Sequence, residues 1–252
     1  MRKQRLDSLL VERGLAESLA RAGALIGAGR VEVDGARGEK AGTMFSPDCA
    51  IRLLAGQPYV GRGGEKLAAG LDVFGVDPSG LICADIGCST GGFTDCLLQR
   101  GARRVYSVDV GYGVLDWRLR GDARVVVLER TNARYLTREH IPEPLDLAVI
   151  DASFISLGLL LEPVSRLFAG PVSIIALVKP QFELPRHKVA RGGVVRDSLL
   201  HEEALASVRR HVREIGLACR DVTASPIRGA KGNREFLMSI GTSDGKKTTT
   251  LE

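Results

Sequence analysis

Long apolar runs are missing from this 252-residue sequence; none reaches the roughly 20 residues a helix needs to cross a bilayer. No signal-peptide pattern opens it. A cytoplasmic protein without a membrane partner is expected. Cysteine is scarce: Cys49, Cys83, Cys88, Cys96 and Cys219 include no C-x-x-C pair. That spacing argues against a disulfide framework and suits a reducing compartment. Aromatic residues make up only 5%, and no basic helix carries the aromatic face of a membrane-lying segment. The dinucleotide fingerprint G-x-G-x-x-G is absent, and no internal repeat is visible.

What is present is bulk and positive charge. A 44% hydrophobic chain of this length suits one α/β domain with a small attachment. The formal charge of +5 and pI of about 9.1 favour a polyanionic partner modestly. The chain divides near residue 60. Residues 1–58 form a small first domain. Leu6, Leu9, Leu10 and Leu15 have helical spacing with Gly14 as a stop, and Ser18 is a good N-cap for a second helix reaching Gly29. Val31 to Gly35 reads as a strand and hairpin, and Ile51 to Leu53 as a closing strand. Residues 59–63 read as a Pro/Gly-rich linker.

From residue 64 to 240, strand patterns at 81–86, 104–109, 125–129, 146–151 and 172–178 alternate with helical patterns at 64–74, 92–100, 113–119, 155–168 and 198–215. Two last strands are expected at 218–224 and 234–241. Such alternation predicts a doubly wound, Rossmann-like α/β sheet. The polar tail 241–252 is expected to be disordered.

One segment stands out. Asp85, Gly87, Ser89, Thr90, Gly91, Gly92 and Phe93 follow an apolar strand and open a helix. A strand that turns through glycines into a helix offers bare backbone N–H groups to a ligand. Asp109 ends the next strand, where a nucleoside ribose is held in such sheets. The pair reads as a nucleoside-cofactor site. Cys83 and Cys88 flank the turn and are expected simply to pack. A second reading is open: Gly87-Cys88-Ser89-Thr90-Gly91 also satisfies G-x-S-x-G, the nucleophile elbow of hydrolases, which would need a histidine from His140, His187, His201 or His211.

Four charged residues stand near strand or helix ends: Lys66, Asp151, Lys179 and Glu235. Carboxyl ends of strands border the crevice of an open α/β sheet, so Asp151 and Lys179 should face it. Glu235 can join them if the last strand is antiparallel. In this order the four resemble the Lys-Asp-Lys-Glu tetrad of FtsJ-type 2′-O-ribose methyltransferases. The words Gly61-Arg62-Gly63-Gly64-Glu65-Lys66-Leu67, Ser89 to Thr94, Asp109 to Gly113, Glu129 to Arg134, Asp151 to Leu157 and Val178 to Glu183 resemble the TlyA family over nearly the whole chain. Gly61 departs from the serine usual there and touches no tetrad position.

The resemblance implies S-adenosylmethionine as cofactor and no metal. It implies Lys66, Asp151, Lys179 and Glu235 as catalytic residues. The glycine turn Asp85 to Phe93 would lie beside the methionine portion, Asp109 would hold the ribose, Asn132 the adenine, and Asp151 would border the cofactor. The family, once labelled haemolysin, contains ribosomal RNA cytidine 2′-O-methyltransferases, so RNA within a ribosomal subunit is the implied partner. The stop soon after Ile240 leans toward the large subunit. The first domain resembles the RNA-binding module of small-subunit ribosomal protein four, with Arg5, Arg13, Arg21 and Arg30 as phosphate contacts.

A ribose hydroxyl must lose its proton as it attacks, and Lys179 is the candidate base; Asp151 and Glu235 are expected to orient the lysines. Phe154 and Phe182 are candidates to stack on the base, although core packing is the plainer expectation. The loop carrying Arg186, His187, Lys188, Arg191 and Arg196, with Gly192-Gly193, is a candidate lid over RNA. A non-catalytic ribosome-binding protein and a membrane-active haemolysin are the other readings.

Overall fold

Leu6, Leu9 and Leu10 have one helix face between them, and burying that face organises the first of two units, Met1–Gln57 and Pro58–Glu252. The computed structural model describes residues 3–27, 29–54 and 58–242. The first unit contains β1 (Gln4–Arg5), α1 (Leu6–Glu12), α2 (Leu19–Gly27), β2 (Val31–Val33), β3 (Ala36–Arg37), β4 (Met44–Phe45) and β5 (Ile51–Leu53). The Ser18 hydroxyl accepts from Arg21 N at 3.1 Å, capping α2 as expected. Asp34 and Gly35 both have positive φ (49° and 82°), the conformation of a tight hairpin turn, and join β2 to β3. Leu15 lies outside α1: the helix gives way at Arg13, and Gly14 takes a φ of +69°. The β1–β4 pairing was not foreseen, because two-residue strands leave no periodic signal.

The second unit contains α3 (Gly63–Phe74), β6 (Ile82–Ile86), α4 (Gly92–Gln99), β7 (Arg104–Val108), α5 (Trp117–Arg120), β8 (Val125–Leu128), β9 (Leu147–Ile150), α6 (Leu161–Ser165), β10 (Ser173–Val178), α7 (Pro180–Glu183), α8 (Ser198–Glu214), β11 (Leu217–Ala224) and β12 (Phe236–Thr242). The strands form one sheet in the order β11-β12-β10-β9-β6-β7-β8. Only β12 runs against its neighbours. Strand residues alternate between two cores: Ile82, Ala84 and Ile86 pack on the side of Leu161, Leu205 and Val208, while Cys83, Leu147 and Val149 pack with Leu67, Leu71 and Leu97. Helices therefore cover both faces, which is why the strands read as continuous apolar runs.

Four expectations need correction. Residues 59–63 are no free linker: Val60 N donates to Asp95 at 2.8 Å, Tyr59 packs on the core around α3 and α4, and Gly63 already belongs to α3. The helix expected at 155–168 is a 3-10 turn (Leu157–Leu159) followed by the short α6. Pro163 lacks an N–H and its ring opposes the carbonyl four residues earlier, so an α-helix can begin only just before it. The helix expected at 113–119 shrinks to α5, whose start is set by the Asp116 cap. Gly241 and Thr242 belong to β12, paired with Ala218 and Leu217, so the sheet runs into the expected tail; residues 243–252 lie outside the described ones. The four-residue α7 was not foreseen; Pro180 opens it at a position where a missing N–H is harmless.

Leu237 is fully buried in β12, and a Cβ on Gly70 of α3 would lie 3.2 Å from it. Leu237→Ala is expected to destabilise the second unit by about 2–5 kcal/mol. A lowered urea midpoint at unchanged slope would register this; an unmoved midpoint would refute it.

Candidate active site

The crevice lies where β6 separates β7 on one side from β9 on the other, at the carboxyl ends of the strands. A cavity of about 390 Å³ opens there, bounded by Gly87, Ser89, Asp109, Asn132, Asp151 and Phe154. Its apolar wall comes from Val108, Ala133 and Ile155. A second cavity of about 190 Å³ shares Gly87, Ser89, Asp151 and Ser153 with the first and reaches Lys179, Arg62 and Thr90. The two form one trench large enough for a cofactor.

The floor of the trench is made by glycines packed backbone to backbone. Gly87 has a φ of +83°, and a Cβ on it would lie 2.7 Å from the Asp151 carbonyl. A Cβ on Gly92 would lie 3.0 Å from Gly64 N and 3.1 Å from Gly61 O. The Gly61–Gly64 segment and the turn thus share one surface, which fixes α3, and Lys66 with it, against the crevice. The Asp109 carboxylate accepts from Ser89 N at 2.8 Å and Gly111 N at 2.7 Å. Ser89 itself sits at φ +48°, held there by that bond. Asn132 uses Oδ1 to cap Arg134 N at 3.1 Å, leaving its amide N–H groups for the cavity it lines.

Asp85 and Phe93 act beneath this surface. Asp85 is wholly buried; its Oδ2 accepts from Thr94 N (2.8 Å) and Thr94 Oγ1 (2.7 Å), and that hydroxyl also meets Ser107 Oγ at 2.8 Å. Its Oδ1 has no hydrogen-bond partner among the described residues. Burial pushes the Asp85 carboxyl up to about 7; the Thr94 hydroxyl opposes the rise and the charge of Asp151 adds to it. Phe93 is buried against Gly63 and the α4 core. Thr90 stays exposed, its carbonyl receiving Asp116 N at 3.1 Å. Gly91 takes a φ of +95°, and any Cβ there would meet Leu119. Burial also raises the thiols of Cys83, Cys88 and Cys96, consistent with packing residues.

The four charged residues assemble as two ion pairs. Lys179 Nζ lies 2.5 Å from Asp151 Oδ1 and donates to Ser153 Oγ at 2.9 Å. Lys66 Nζ donates to Glu235 Oε2 at 2.5 Å, and both residues are buried. Register explains the meeting. Val178 pairs with Phe236 across the antiparallel β10–β12 ladder, so one step further Lys179 stands opposite Glu235. Ser153 escaped sequence reasoning, because its role depends on a lysine 26 residues away. So did Arg130, whose guanidinium lies 4.2 Å from the centre of the exposed Tyr112 ring. Phe154 corrects an expectation: it is 91% exposed at φ +64°, with its ring 5.2 Å from that of the half-buried Phe182. In the candidate lid, Lys188 pairs with Glu203 at 2.7 Å, and the Asn233 amide donates to Gly193 O at 2.8 Å.

The hydrolase reading fails on geometry. No histidine lines either cavity. His201 bonds Val195 O and His211 bonds Ser207 O, both at 3.0 Å, while His140 sits against Thr137.

In the first unit the four arginines differ. Arg5 is bound to the Asp7 carboxylate through Nε (3.0 Å) and a terminal nitrogen (2.6 Å). Arg13 bonds the carbonyls of Cys49 and Pro47, and Arg30 that of Leu54 at 3.3 Å. The Arg21 side chain is exposed and has no partner among the described residues.

Comparison with known proteins agrees with this architecture. Residues 59–242 match the FtsJ-like methyltransferase family, and residues 4–48 match the S4 domain. The 16S/23S rRNA (cytidine-2′-O)-methyltransferase TlyA of Mycobacterium tuberculosis is 45% identical over 96% of this chain and 91% of its own length. The chain belongs to the TlyA family of FtsJ-like methyltransferases. Hemolysin A of Brachyspira hyodysenteriae is 38% identical over 92% of this chain and 98% of its own. A solved structure from Streptococcus thermophilus, described provisionally as a hemolysin, superposes with a TM-score of 0.74 at 39% identity, covering 97% of this chain and 90% of that one. Among the described residues of this TlyA-family protein no helix is long and apolar enough to cross a membrane.

The Asp85 carboxyl predicts a pH signature. The fold holds its proton up to about 7, whereas an unfolded aspartate releases it near 4. Between those values the folded state binds more protons, so this group's contribution to stability falls as pH rises from about 4 to about 7 and is constant above. Asp85→Asn removes that slope. Denaturation midpoints across this window should shift in favour of the variant as pH rises; parallel profiles would count against the assignment.

Proposed function

We propose that this protein transfers a methyl group from S-adenosylmethionine to the ribose 2′-oxygen of a cytidine in ribosomal RNA. The paired lysines and carboxylates beside a nucleoside-sized trench carry this reading. The trench fits the cofactor. Asp109 offers a carboxylate for vicinal hydroxyls, Asn132 an amide, and Val108, Ala133 and Ile155 an apolar slot for a planar ring. The Asp85 Oδ1, without a hydrogen-bond partner among the described residues, leaves a free oxygen lone pair below the glycine turn, which suits a sulfonium. Bound there, the cofactor would supply an electrophilic methyl group.

The chain's own residues do the rest. The trench aligns the 2′-oxygen with that methyl, which is much of the catalysis of a displacement. Lys179, positioned from two sides by Asp151 and Ser153, must act as the neutral amine, its own proton first released to solvent; in that form it takes the hydroxyl proton as the oxygen attacks. The buried Lys66–Glu235 pair fixes the adjacent edge of the site. Phe154, exposed at the mouth, stacks on the base of a nucleotide turned out of its helix. The S4 unit supplies affinity through phosphate contacts, led by Arg21, whose exposed guanidinium has no partner among the described residues. Large-subunit 23S RNA is the first substrate to test and 16S the second; the M. tuberculosis relative is named for both.

The deciding assay incubates the protein with separated ribosomal subunits and labelled S-adenosylmethionine, then maps the 2′-O-methyl positions. No label in ribosomal RNA would end the proposal. Lys179→Arg, which stays protonated, should lower the methylation rate at least about 100-fold while cofactor binding persists. Wild-type turnover by that variant would remove Lys179 as the base.

The two classes of arginine also separate. Arg21→Ala should weaken RNA binding and make its salt dependence shallower by about 0.7–0.9 in log–log slope, with unchanged folding. Arg5→Ala should instead destabilise the first unit, since it leaves the nearly buried Asp7 carboxylate unpaired. Equal effects of both on folding would contradict this division.

A further inference from the structure

Beyond the trench, the second unit contains a concave surface of one sign of charge. A cavity of about 460 Å³ is lined by Arg196, Arg228, Lys231 and Arg234, with Ser198 and His201 in its wall. No acidic side chain lines it. The acid nearest in sequence, Asp197, is turned to Leu199 N at 2.9 Å as the cap of α8. Among the described residues none of the four cations forms an ion pair. Four unpaired cations around one hollow repel one another, and an anion between them relieves that repulsion.

The hollow is built, not incidental. Its two walls are the 193–196 strap and the 228–234 turn, and the buried Asn233 joins them: Val195 N donates to Asn233 Oδ1 at 2.9 Å, and the Asn233 amide donates to Gly193 O at 2.8 Å. Arg228 closes the turn through Gly232 O at 3.1 Å, and Lys231 adopts φ +58° within it. His201 is buried, bonded to Val195 O and edge-on to Phe236 at 5.6 Å, so it forms wall and not ligand.

Its position relative to the tetrad gives it meaning. Arg234 and Glu235 are consecutive at the entry to β12, where successive side chains leave on opposite sides. Glu235 goes to Lys66, and Arg234 goes to the hollow. The same turn touches both places. A Cβ on Gly229 would collide with the Glu235 carboxylate, while its neighbour Arg228 lines the hollow. We propose that this cavity binds a backbone phosphodiester of the RNA substrate, close to the nucleotide whose ribose lies at Lys179. The proposal rests on the function above. The four cationic side chains are exposed, which suits a strand laid across the surface better than a small ion enclosed in it. Phosphate contacts of this kind fix register without reading sequence.

The test compares the double variant Arg228→Ala/Arg234→Ala with wild type, and with Arg210→Ala/Arg213→Ala on α8 as a charge-matched control outside the hollow. Ribosomal RNA from separated subunits is the probe. The cavity variant should raise the KM for RNA about tenfold while kcat and cofactor affinity stay within about twofold, and its salt slope for RNA binding should become shallower by about 0.7–0.9, one phosphate's share. Arg228→Lys/Arg234→Lys should restore the slope, which a merely structural role would not require. A wild-type KM and slope in the alanine variant would overturn the proposal. So would tight binding of inorganic phosphate that depends on these arginines while RNA binding does not. The salt slope needs no turnover, so a protein that binds RNA through the hollow yet methylates nothing would refute the methylation reading and leave this one standing.

Discussion

The antiparallel insertion of β12 between β10 and β11 is the constraint from which the site follows. A parallel strand would present its carboxyl end at the crevice; β12 presents its beginning, and with it Glu235. The ladder then sets Lys179 opposite Glu235, and Lys66 from α3 completes the buried pair. Removing either partner would leave a charge without compensation in a dry place, typically a loss of about 3–5 kcal/mol. The pair is therefore a reason for the geometry to stay fixed, more than a source of net stability.

The second determinant is the backbone contact between Gly61–Gly64 and Gly92. It lets a helix from the start of the domain approach the glycine turn closely enough to deliver Lys66. Side chains at these positions would push α3 away, and the lysine with it. Asp109 works in the same region by a different route, tying the Ser89 amide into the left-handed conformation that shapes the cavity floor. Asp85 is the foundation: one oxygen holds the α4 start through Thr94, and the other lies beneath the turn without a partner among the described residues.

Charge is distributed according to task. Arg5 and Arg13 stabilise the small unit that carries them, whereas the Arg21 side chain is exposed and has no partner among the described residues. In the larger unit, four cations that form no ion pair among the described residues gather in one hollow behind Glu235. The modest net charge of +5 conceals this arrangement, because unpaired cations are concentrated at particular surfaces while many others are neutralised locally.

The sequence by itself determined the alternation of strands and helices, the glycine turn, Asp109 and the four charged residues, because strand burial, positive-φ turns and strand-end charges each leave a local mark. It misplaced what depends on distant neighbours. Pro163 shortened α6, Asp116 delimited α5, and residues 59–63 became core because α4 offered Asp95 and a surface to pack on. Phe154 read as core and lies in solvent at positive φ. Only the tertiary structure decided that Ser153 would hold Lys179, that Arg5 would be spent on Asp7, and that Arg196, Arg228, Lys231 and Arg234 would share one hollow. These are contacts between segments far apart or turned by a single bend, and a linear pattern records the period of a chain, not the partner its side chain will meet.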